Sequence, residues 1–214
     1  MDNHLVISEI YKSIQGESTY VGLPCVLVRL TGCDLRCSYC DTAYAFSGGT
    51  RRTLSKVVSE IDRWGTPLVE ITGGEPLLQE PVFELMKTLA DRGKTVLLET
   101  SGAHDISRCD PRVIRIVDLK CPSSGESSNN RWENLAELRP SDEVKFVIGD
   151  RTDFDWAIDI IRKHGLSRKC PVLFSAVWDR LPLLKLAEWV RDGSEPVRLQ
   201  PQLHKVIWGT TPST

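Results

Sequence analysis

Short apolar runs rich in β-branched residues alternate along this chain with stretches whose apolar residues recur every three or four positions. Runs of the first kind predict strands, and the periodic stretches predict helices. Alternation of the two predicts a mostly parallel sheet with right-handed helical crossovers. The predicted strands are Leu5–Tyr11, Cys25–Leu30, Leu68–Thr72, Thr95–Glu99, Val113–Leu119, Val144–Ile148, Val172–Ala176 and Val197–Leu199.

The periodic stretches predict helices that each place one apolar stripe against the core. Thr53 and Asp153 stand before two of these stretches and are the predicted N-caps of their helices. The four stripes are Leu54, Val57, Val58 and Ile61; Val82, Leu85, Met86 and Leu89; Phe154, Ala157, Ile158 and Ile161; and Leu183, Leu186, Ala187 and Val190.

The length of the chain limits how far such a sheet can close. A full (β/α)8 barrel typically needs ~250 residues, whereas this chain has 214. We therefore expect an α/β fold, an incomplete TIM-like (β/α) barrel with about six parallel strands that is open on one side. No linker or repeat is visible, so a single domain is predicted over residues 1–214. The small polar segment 121–130, CPSSGESSNN, is predicted to be a flexible loop.

Composition excludes several classes of function. The chain is 41% hydrophobic with a formal net charge of -2 and has no dense run of lysine and arginine, so no nucleic-acid partner is expected. Its apolar runs are only a handful of residues long, which is too short for a membrane span. The start, MDNHLVISEI, lacks the regions of a signal peptide. We therefore expect a cytoplasmic protein.

Unusual polar motifs follow six of the predicted strands. In parallel α/β folds, ligands bind at the carboxyl edge of the sheet, where such loops converge. One shared site explains the six loops better than six coincidences would. The motifs are SIQGE (13–17), a cysteine-rich loop (31–42), TGGEP (72–76), ETSG (99–102), DLKCP (118–122) and LQPQLHK (199–205).

The cysteine-rich loop, TGCDLRCSYCDT, contains Cys33, Cys37 and Cys40 with the spacing C-x3-C-x2-C. Three thiolates at this spacing can hold an iron–sulfur cubane and leave its fourth iron open for a substrate or cofactor. A structural zinc site and an electron-carrying cluster remain alternatives, because Cys109 or Cys121 could in principle supply a fourth ligand. The four scattered cysteines, Cys25, Cys109, Cys121 and Cys170, are interpreted as small buried apolar residues.

Two polar residues near this loop allow either a structural or a functional interpretation. Arg29 lies in an apolar strand, and a buried arginine needs an anionic or hydrogen-bonding partner. That partner is either a core carboxylate or a substrate carboxylate held by both edges of the guanidinium. Thr42 follows Cys40 by two residues and is either a turn residue or a ligand of a hard cation.

The cysteine spacing with Tyr39 before Cys40, together with Gly73-Gly74-Glu75-Pro76 at a strand end, resembles the radical S-adenosylmethionine (SAM) superfamily. SIQGE, the CDT that ends the cysteine loop, ITGGEP, ETSG, DLKCP, DEVKFVI (142–148) and LQPQLHK resemble the 7-carboxy-7-deazaguanine synthase family over most of the chain. This resemblance implies conversion of 6-carboxy-5,6,7,8-tetrahydropterin into 7-carboxy-7-deazaguanine with release of ammonia, in queuosine and deazapurine biosynthesis. It also implies a [4Fe-4S] cluster, SAM and Mg2+, a flavodoxin- or ferredoxin-like reducing partner and a homodimer.

The resemblance assigns a role to each matching residue, and no side chain is catalytic because the radical comes from the cofactor. Cys33, Cys37 and Cys40 are implied to ligate the cluster, and Thr42 is implied to ligate magnesium. The implied pterin contacts are Ile14, Gln15, Gly16, Arg29 and Thr72. The implied SAM contacts are Tyr39, Asp41, Gly74, Ser101, Asp118, Lys120 and Gln200.

Two other functions compete with this one. A glycyl-radical activating enzyme shares the short chain and the cysteine spacing, but it does not account for SIQGE, Arg29 or CDT. A non-catalytic regulatory module that binds zinc or an iron–sulfur cluster leaves GGEP and the converging loops without a purpose. No role is assigned to Pro212, Ser213 or Thr214.

Overall fold

Nine strands form one continuous sheet in the computed structural model, which describes residues 3–209. The strand order is β3-β1-β2-β4-β5-β6-β7-β8-β9. The strands are β1 His4–Ile14, β2 Pro24–Leu30, β3 Thr50–Thr53, β4 Leu68–Gly73, β5 Thr95–Thr100, β6 Ile114–Asp118, β7 Glu143–Ile148, β8 Val172–Ala176 and β9 Arg198–Leu199. The α-helices are α1 Leu54–Arg63, α2 Val82–Asp91, α3 Arg151–His164, α4 Leu183–Asp192 and α5 Leu203–Trp208.

The sheet is mostly parallel and is not closed, as the sequence predicted. Strands β2 and β4 to β9 run parallel to one another, and β3 and β9 are the two edges. The sheet has nine strands, and the parallel set of β2 and β4 to β9 agrees with the prediction of about six parallel strands. Strands β1 and β3 are added to it by antiparallel pairing. The sequence analysis missed β3, since Thr50-Arg51-Arg52-Thr53 has no apolar alternation to mark it as a strand.

Strand β1 runs antiparallel to β2, with Ile14 opposite Pro24. Residues 15–23 form the hairpin loop between these strands, because two strands joined by a short loop must be antiparallel. SIQGE therefore lies at the amino end of β2 and not at the carboxyl edge of the parallel strands. The prediction that placed it at that edge with the other motifs is wrong.

Helices pack on the sheet through the stripes that their periodicity predicted. Val57, Val58 and Ile61 of α1 are buried, and the equivalent residues of α2 and α3 are buried as well. In α4, Leu186 is the buried member of the stripe. No helix within residues 3–209 is long and apolar enough to span a membrane.

The N-cap of α1 is the predicted residue, whereas the N-cap of α3 is not. The Thr53 side chain accepts a hydrogen bond from the Lys56 amide and caps α1 as predicted. Asp153 does not cap α3, because Asp150 takes that position and accepts from the amide of Asp153. The buried Asp153 carboxylate instead accepts from the amides of Ser123 and Gly149. It therefore fixes the start of segment 121–130 against α3.

One buried carboxylate connects the middle of the sheet to the segment before β7. Asp142 is fully buried and accepts from the backbone amide and the guanidinium of Arg115 on β6. It also accepts from the amide and guanidinium of Arg139. Because two arginines share this acceptor, its removal leaves two cations without an internal counterion.

We expect Asp142→Ala to lower the free energy of unfolding by ~3–5 kcal/mol, since it breaks a buried ion pair from one side. Urea denaturation of the purified protein measures this change. Asp155→Ala is the matched control, because it breaks only the exposed Arg151–Asp155 pair on the surface of α3 and should change stability little. Equal stability losses in the two variants would contradict the proposed importance of the buried network.

Candidate active site

A cavity of about 600 Å3 lies among the β1–β2 hairpin, the cysteine-rich loop and the inner faces of β4 to β7. It brings together every predicted site residue except Gln200. The predicted residues that line it are Ile14, Gln15, Gly16, Arg29, Cys33, Cys37, Tyr39, Cys40, Asp41, Thr42, Thr72, Gly74, Ser101, Asp118 and Lys120.

Gln200 is the predicted site residue that lies outside this lining. It is buried, and its side-chain amide donates to the carbonyl of Pro201 at 3.2 Å. Its backbone carbonyl accepts from the hydroxyl of Ser175. Its predicted contact with SAM therefore has no support from the cavity and stays a prediction.

The three clustered cysteines line the cavity and are partly exposed. The other four are buried and are not among the lining residues. Burial raises the pKa of the Cys33 thiol, and it raises that of Cys37 to about 11. Cys109 and Cys121 lie outside the lining, so within residues 3–209 the three clustered thiols are the ones that a cluster in this cavity would use.

The Glu75 carboxylate of GGEP joins three of the loops that surround the cavity. It is fully buried and accepts from the Thr100 hydroxyl at 2.9 Å and the Ser101 amide at 2.7 Å. The Glu75 backbone amide donates to the carbonyl of Gly32, just before the first clustered cysteine, at 2.7 Å. Glu75 therefore fixes ETSG and the cysteine loop relative to each other.

Gly74 is glycine because two loops approach closely at this point. A Cβ there would lie 2.2 Å from the Gly32 carbonyl oxygen and 2.9 Å from the Cβ of Cys33. The amide of Gly74 donates to the Leu30 carbonyl at 3.1 Å. Any larger residue would push the cysteine loop away from β4. Loop packing thus accounts for this glycine in addition to the expected contact with SAM.

Segment 121–130 has more regular structure than the flexible loop that its composition predicted. It contains two short 3-10 helices, Pro122–Ser124 and Ser127–Asn129. Ser38 of the cysteine loop donates through its amide to the Ser124 carbonyl at 2.9 Å. The Arg36 amide donates to the Glu126 carboxylate at 2.6 Å. The segment therefore packs on the cysteine loop and supports it.

Asp118 and Lys120 lie beside the clustered cysteines. Their side chains form an ion pair at 2.8 Å, and the Lys120 pKa is raised because Asp118 and Cys37 outweigh the opposing effect of burial. The second carboxylate oxygen of Asp118, Oδ1, is buried and has no hydrogen-bond partner within residues 3–209. An unpaired buried acceptor is costly, so this oxygen calls for a donor such as a hydroxyl or amine of a bound cofactor.

Lys145 of β7 is the central cation deeper in the cavity. Its ammonium lies 2.9 Å from the Glu17 carboxylate and 3.9 Å from Asp118, and it also bonds to Glu99. Burial alone would raise the pKa of Glu17, but Lys145 and then His204 more than offset it and hold that pKa at about 2. The hairpin loop therefore presents a permanent anion to the inside of the barrel.

Glu70 is a second acidic residue in the deeper part of the cavity. It lies in the middle of β4, is almost fully buried and accepts a hydrogen bond from the Gln15 side chain. Its pKa is raised well above the usual range by burial and then by the nearby Glu99 and Glu17 carboxylates. The surroundings of Glu70 therefore favour the neutral acid, which can donate as well as accept hydrogen bonds.

Arg29 both has a protein partner and lines the cavity. Its Nε donates to the Glu9 carboxylate at 2.7 Å, and the Tyr44 hydroxyl donates to the same carboxylate oxygen at 2.8 Å. Its Nη2 lies 3.5 Å from the Tyr11 hydroxyl. The structure thus contains the structural ion pair that was one of the two sequence interpretations. A substrate carboxylate would be an additional partner for this guanidinium.

The LQPQLHK segment (199–205), near the carboxyl terminus of the chain, contributes part of the cavity lining. Gln202 donates to the Glu17 carboxylate at 2.9 Å, and Lys205 pairs with Asp41 at 2.5 Å. His204 packs so close to Gly16 that a Cβ at Gly16 would lie 2.1 Å from its ring nitrogen Nδ1. Asp41, which was predicted to hold SAM, is therefore also a partner of helix α5.

Sequence analysis missed several lining residues, although the sequence carried signals for most of them. The sequence analysis quoted the motifs that contain these residues but gave the residues themselves no role: Glu17, Glu99, Lys145, Gln202, His204 and Lys205. Glu70 had the same signal as Arg29, a charged residue inside an apolar strand. Pro212, Ser213 and Thr214 lie outside the described residues.

Thr42 lines the cavity, and its hydroxyl lies 3.8 Å from the Cys40 sulfur. Within residues 3–209 no three or more histidine, cysteine, aspartate or glutamate side chains are grouped so that they could hold a metal ion. Magnesium accepts few protein ligands and keeps several waters. Thr42 could therefore provide only one of the oxygen ligands of such an ion.

The comparisons with known proteins agree with this site. Residues 27–120 match the radical SAM superfamily. A 7-carboxy-7-deazaguanine synthase of Koribacter versatilis is 44% identical over 223 residues, which cover 97% of this chain and 98% of the relative. One from Chlorobaculum tepidum is 46% identical over 207 residues, covering 95% of this chain and 94% of the relative.

A solved structure supports the fold independently. The crystal structure of QueE from Escherichia coli superimposes with a TM-score of 0.77 at 22% identity, covering 94% of this chain and 95% of that one. At this identity the likeness concerns the fold alone, whereas the two synthases above are similar over nearly their whole sequences. The chain therefore belongs to the 7-carboxy-7-deazaguanine synthase family of radical SAM proteins.

Proposed function

We propose that this protein converts 6-carboxy-5,6,7,8-tetrahydropterin into 7-carboxy-7-deazaguanine with release of ammonia, in the biosynthesis of queuosine and related deazapurines. The observation that carries the proposal is the shared cavity of about 600 Å3, which is lined by both the clustered cysteines and the IQG segment. A small substrate bound at 14–16 would thus lie in the same chamber as a radical source. The names of the relatives support the choice of product.

Cys33, Cys37 and Cys40 would hold the [4Fe-4S] cluster, and SAM would bind beside them. Bound together, these groups would supply the 5′-deoxyadenosyl radical that removes hydrogen from carbon 6 of the pterin. The orphaned Asp118 oxygen supports the SAM site because it needs a donor. The residues proposed to contact SAM are Tyr39, Asp41, Gly74, Ser101, Asp118, Lys120 and Gln200.

The deeper part of the cavity would bind the pterin through Ile14, Gln15, Gly16, Arg29 and Thr72. The edge of the pterin ring carries amide and amine donors, and the nearby carboxylates of Glu17 and Glu99 offer acceptors. Thr72 is held in place by a hydrogen bond from its hydroxyl to Glu99 at 3.4 Å. The protein would orient the substrate and exclude water while the cofactor supplies the radical chemistry.

Magnesium would bind at Thr42, with water and substrate oxygens as its other ligands. Thr42 lines the cavity at the end of the CDT motif. A cation at this position would face the substrate carboxylate and neutralise part of its charge. Arg29 and magnesium would then share the recognition of that carboxylate.

The decisive experiment is an anaerobic assay of the reconstituted protein with 6-carboxytetrahydropterin, SAM, a reductant and Mg2+. We expect 7-carboxy-7-deazaguanine by mass spectrometry, less of it when magnesium is chelated, and none from Cys37→Ala, which removes a cluster ligand. SAM cleavage without this product would contradict the substrate assignment and favour the glycyl-radical activating enzyme. A colourless protein that contains zinc would instead favour the regulatory module.

We expect Arg29→Ala to raise the KM for the pterin by about tenfold to hundredfold, because hydrogen bonds to a charged group are lost. Arg29→Lys should restore only part of the affinity, since lysine lacks the planar fork of the guanidinium. The measurements are steady-state kinetics and iron content per chain. Iron content should stay close to that of the unmodified protein, because Arg29 is not a cluster ligand.

Arg52→Ala is the matched control for this variant. Arg52 also lies in a strand and pairs with a glutamate, Glu60, at 2.5 Å, but it is not among the residues that line the cavity. Its removal should leave the KM for the pterin unchanged. An unchanged KM in Arg29→Ala would remove the carboxylate contact from the proposal and leave Arg29 with its structural role beside Glu9.

We also propose a homodimer, a flavodoxin- or ferredoxin-like reductant and a cytoplasmic location, as the family resemblance implies. Three apolar side chains are exposed on the last two helices: Leu184 on α4, and Val206 and Ile207 on α5. Exposed apolar side chains favour an interface between copies of the chain. All seven cysteines are free, which suits a reducing compartment. A mass of 24.0 kDa in solution, measured by light scattering, would contradict the dimer.

A further inference from the structure

The DEVKFVI motif (142–148) resembles the family, yet the function proposed above gives it no role beyond forming β7. Glu143 and Lys145 are two positions apart in β7, so their side chains lie on the same face of the strand. Both are buried and both contact the β1–β2 hairpin loop, 15–23, across the barrel. The motif therefore contacts a loop that is distant in sequence. Thr19 and Glu143, for example, are 124 positions apart.

Thr19 and Glu143 form the outer of these two contacts. The Thr19 amide donates to both carboxylate oxygens of Glu143, at 3.0 and 3.1 Å, and its hydroxyl donates at 2.5 Å. The Glu143 side chain is almost fully buried, whereas Thr19 is exposed. Three hydrogen bonds to one buried carboxylate form a strong attachment, because bonds to charged groups are worth more than neutral ones.

The loop between these contacts has a constrained backbone. Ser18 has a φ of 61°, a left-handed conformation that is unfavourable for a residue other than glycine. The Tyr20 amide donates to the Ser18 hydroxyl at 3.1 Å. Such a conformation persists only when neighbouring contacts hold it. The bonds from Thr19 to Glu143 and from Tyr20 to Ser18 are contacts on the carboxyl-terminal side of this residue.

Neither Thr19 nor Glu143 lines the cavity, whereas the residues that precede them in the loop, Gln15, Gly16 and Glu17, do. Any effect of the outer contact on ligand binding must therefore pass through the position of these residues. The Gln15 amide donates to the Leu23 carbonyl at 2.8 Å, and the Gly22 amide donates to the Gln15 carbonyl at 2.8 Å. These two bonds connect Gln15 to the part of the hairpin that follows Thr19.

We propose that Thr19 and Glu143 are positioning residues that anchor the pterin-binding segment 14–17 from the far side of the barrel. The anchor fixes the residues that would contact the pterin, whereas binding of the cluster and SAM depends on the cysteine loop at the other end of the cavity. Its loss weakens pterin binding and leaves SAM binding intact. Without the anchor the substrate would be poorly placed, so a larger share of SAM cleavage would yield no product. This inference rests on the pterin being the substrate.

The test compares Thr19→Val with Thr19→Ser in the reconstituted holoenzyme. Valine keeps the shape and the amide of threonine but removes the hydroxyl that donates to Glu143, and serine keeps that hydroxyl. We expect valine to raise the KM for 6-carboxytetrahydropterin about fivefold to tenfold, because one hydrogen bond to a charged acceptor is lost. The ratio of 5′-deoxyadenosine to 7-carboxy-7-deazaguanine should rise, the KM for SAM should not change, and serine should restore the original values.

Thr95→Val is the matched control, since Thr95 is an exposed threonine at the start of β5 that is far along the chain from the loop and is not a lining residue. It should behave as the unmodified protein does. An unchanged KM for the pterin in Thr19→Val would overturn the anchor. A fall in kcat at unchanged KM, together with a lower melting temperature, would also overturn it, because that pattern indicates a purely structural role.

A second measurement keeps the inference separate from the proposed function. If the unmodified protein makes no product from the pterin, the substrate assignment fails, and the anchor is judged by amide hydrogen exchange of residues 15–23. Faster exchange in Thr19→Val, but not in Thr19→Ser or Thr95→Val, would support an anchored loop. Equal exchange in all three variants would overturn it.

Discussion

The buried carboxylate of Glu75 is the interaction on which the rest of the site depends. It accepts from Thr100, Ser101 and Leu77, while its own amide donates to Gly32. Each of these donors would be buried without a partner if the carboxylate were absent, at a cost of about 1–3 kcal/mol each. The cysteine loop, whose three cysteines line the cavity, is thus placed by a residue at the end of a neighbouring strand.

The opposite end of the cavity is organised by charge. Glu17, Glu99 and Asp118 surround Lys145, and Lys120 pairs with Asp118. Buried ions are costly unless each has a partner, so the chain of alternating charges runs without a break from the hairpin to the cysteine loop. Glu70 lies beside this chain as the acid whose pKa is raised. Removal of water from such a chamber strengthens every remaining electrostatic contact.

Most of the parallel part of the fold could be predicted from sequence, because buried strands and amphipathic helices have distinct periods. The antiparallel direction of β1 was missed, since a strand pattern carries no direction and only the short loop 15–23 revealed it. Gln200 was assigned to SAM by its motif; its buried side chain donates to the Pro201 carbonyl, and the assignment stays a prediction. The contact of Thr19 with Glu143 could not be found from the sequence at all, because it depends on how the barrel brings distant segments together.

The match to the radical SAM superfamily covers residues 27–120. It contains the cysteine loop, Glu75 and Asp118, which lie around the proposed SAM site. The hairpin loop, DEVKFVI and LQPQLHK lie outside it, yet Glu17, Lys145 and Gln202 meet in one cavity. DEVKFVI forms β7 within the sheet, whereas the hairpin loop and LQPQLHK reach the cavity from opposite ends of the sequence. The proposed substrate contacts are therefore divided between the superfamily match, which contains Arg29 and Thr72, and the hairpin before it, which contains Ile14, Gln15 and Gly16.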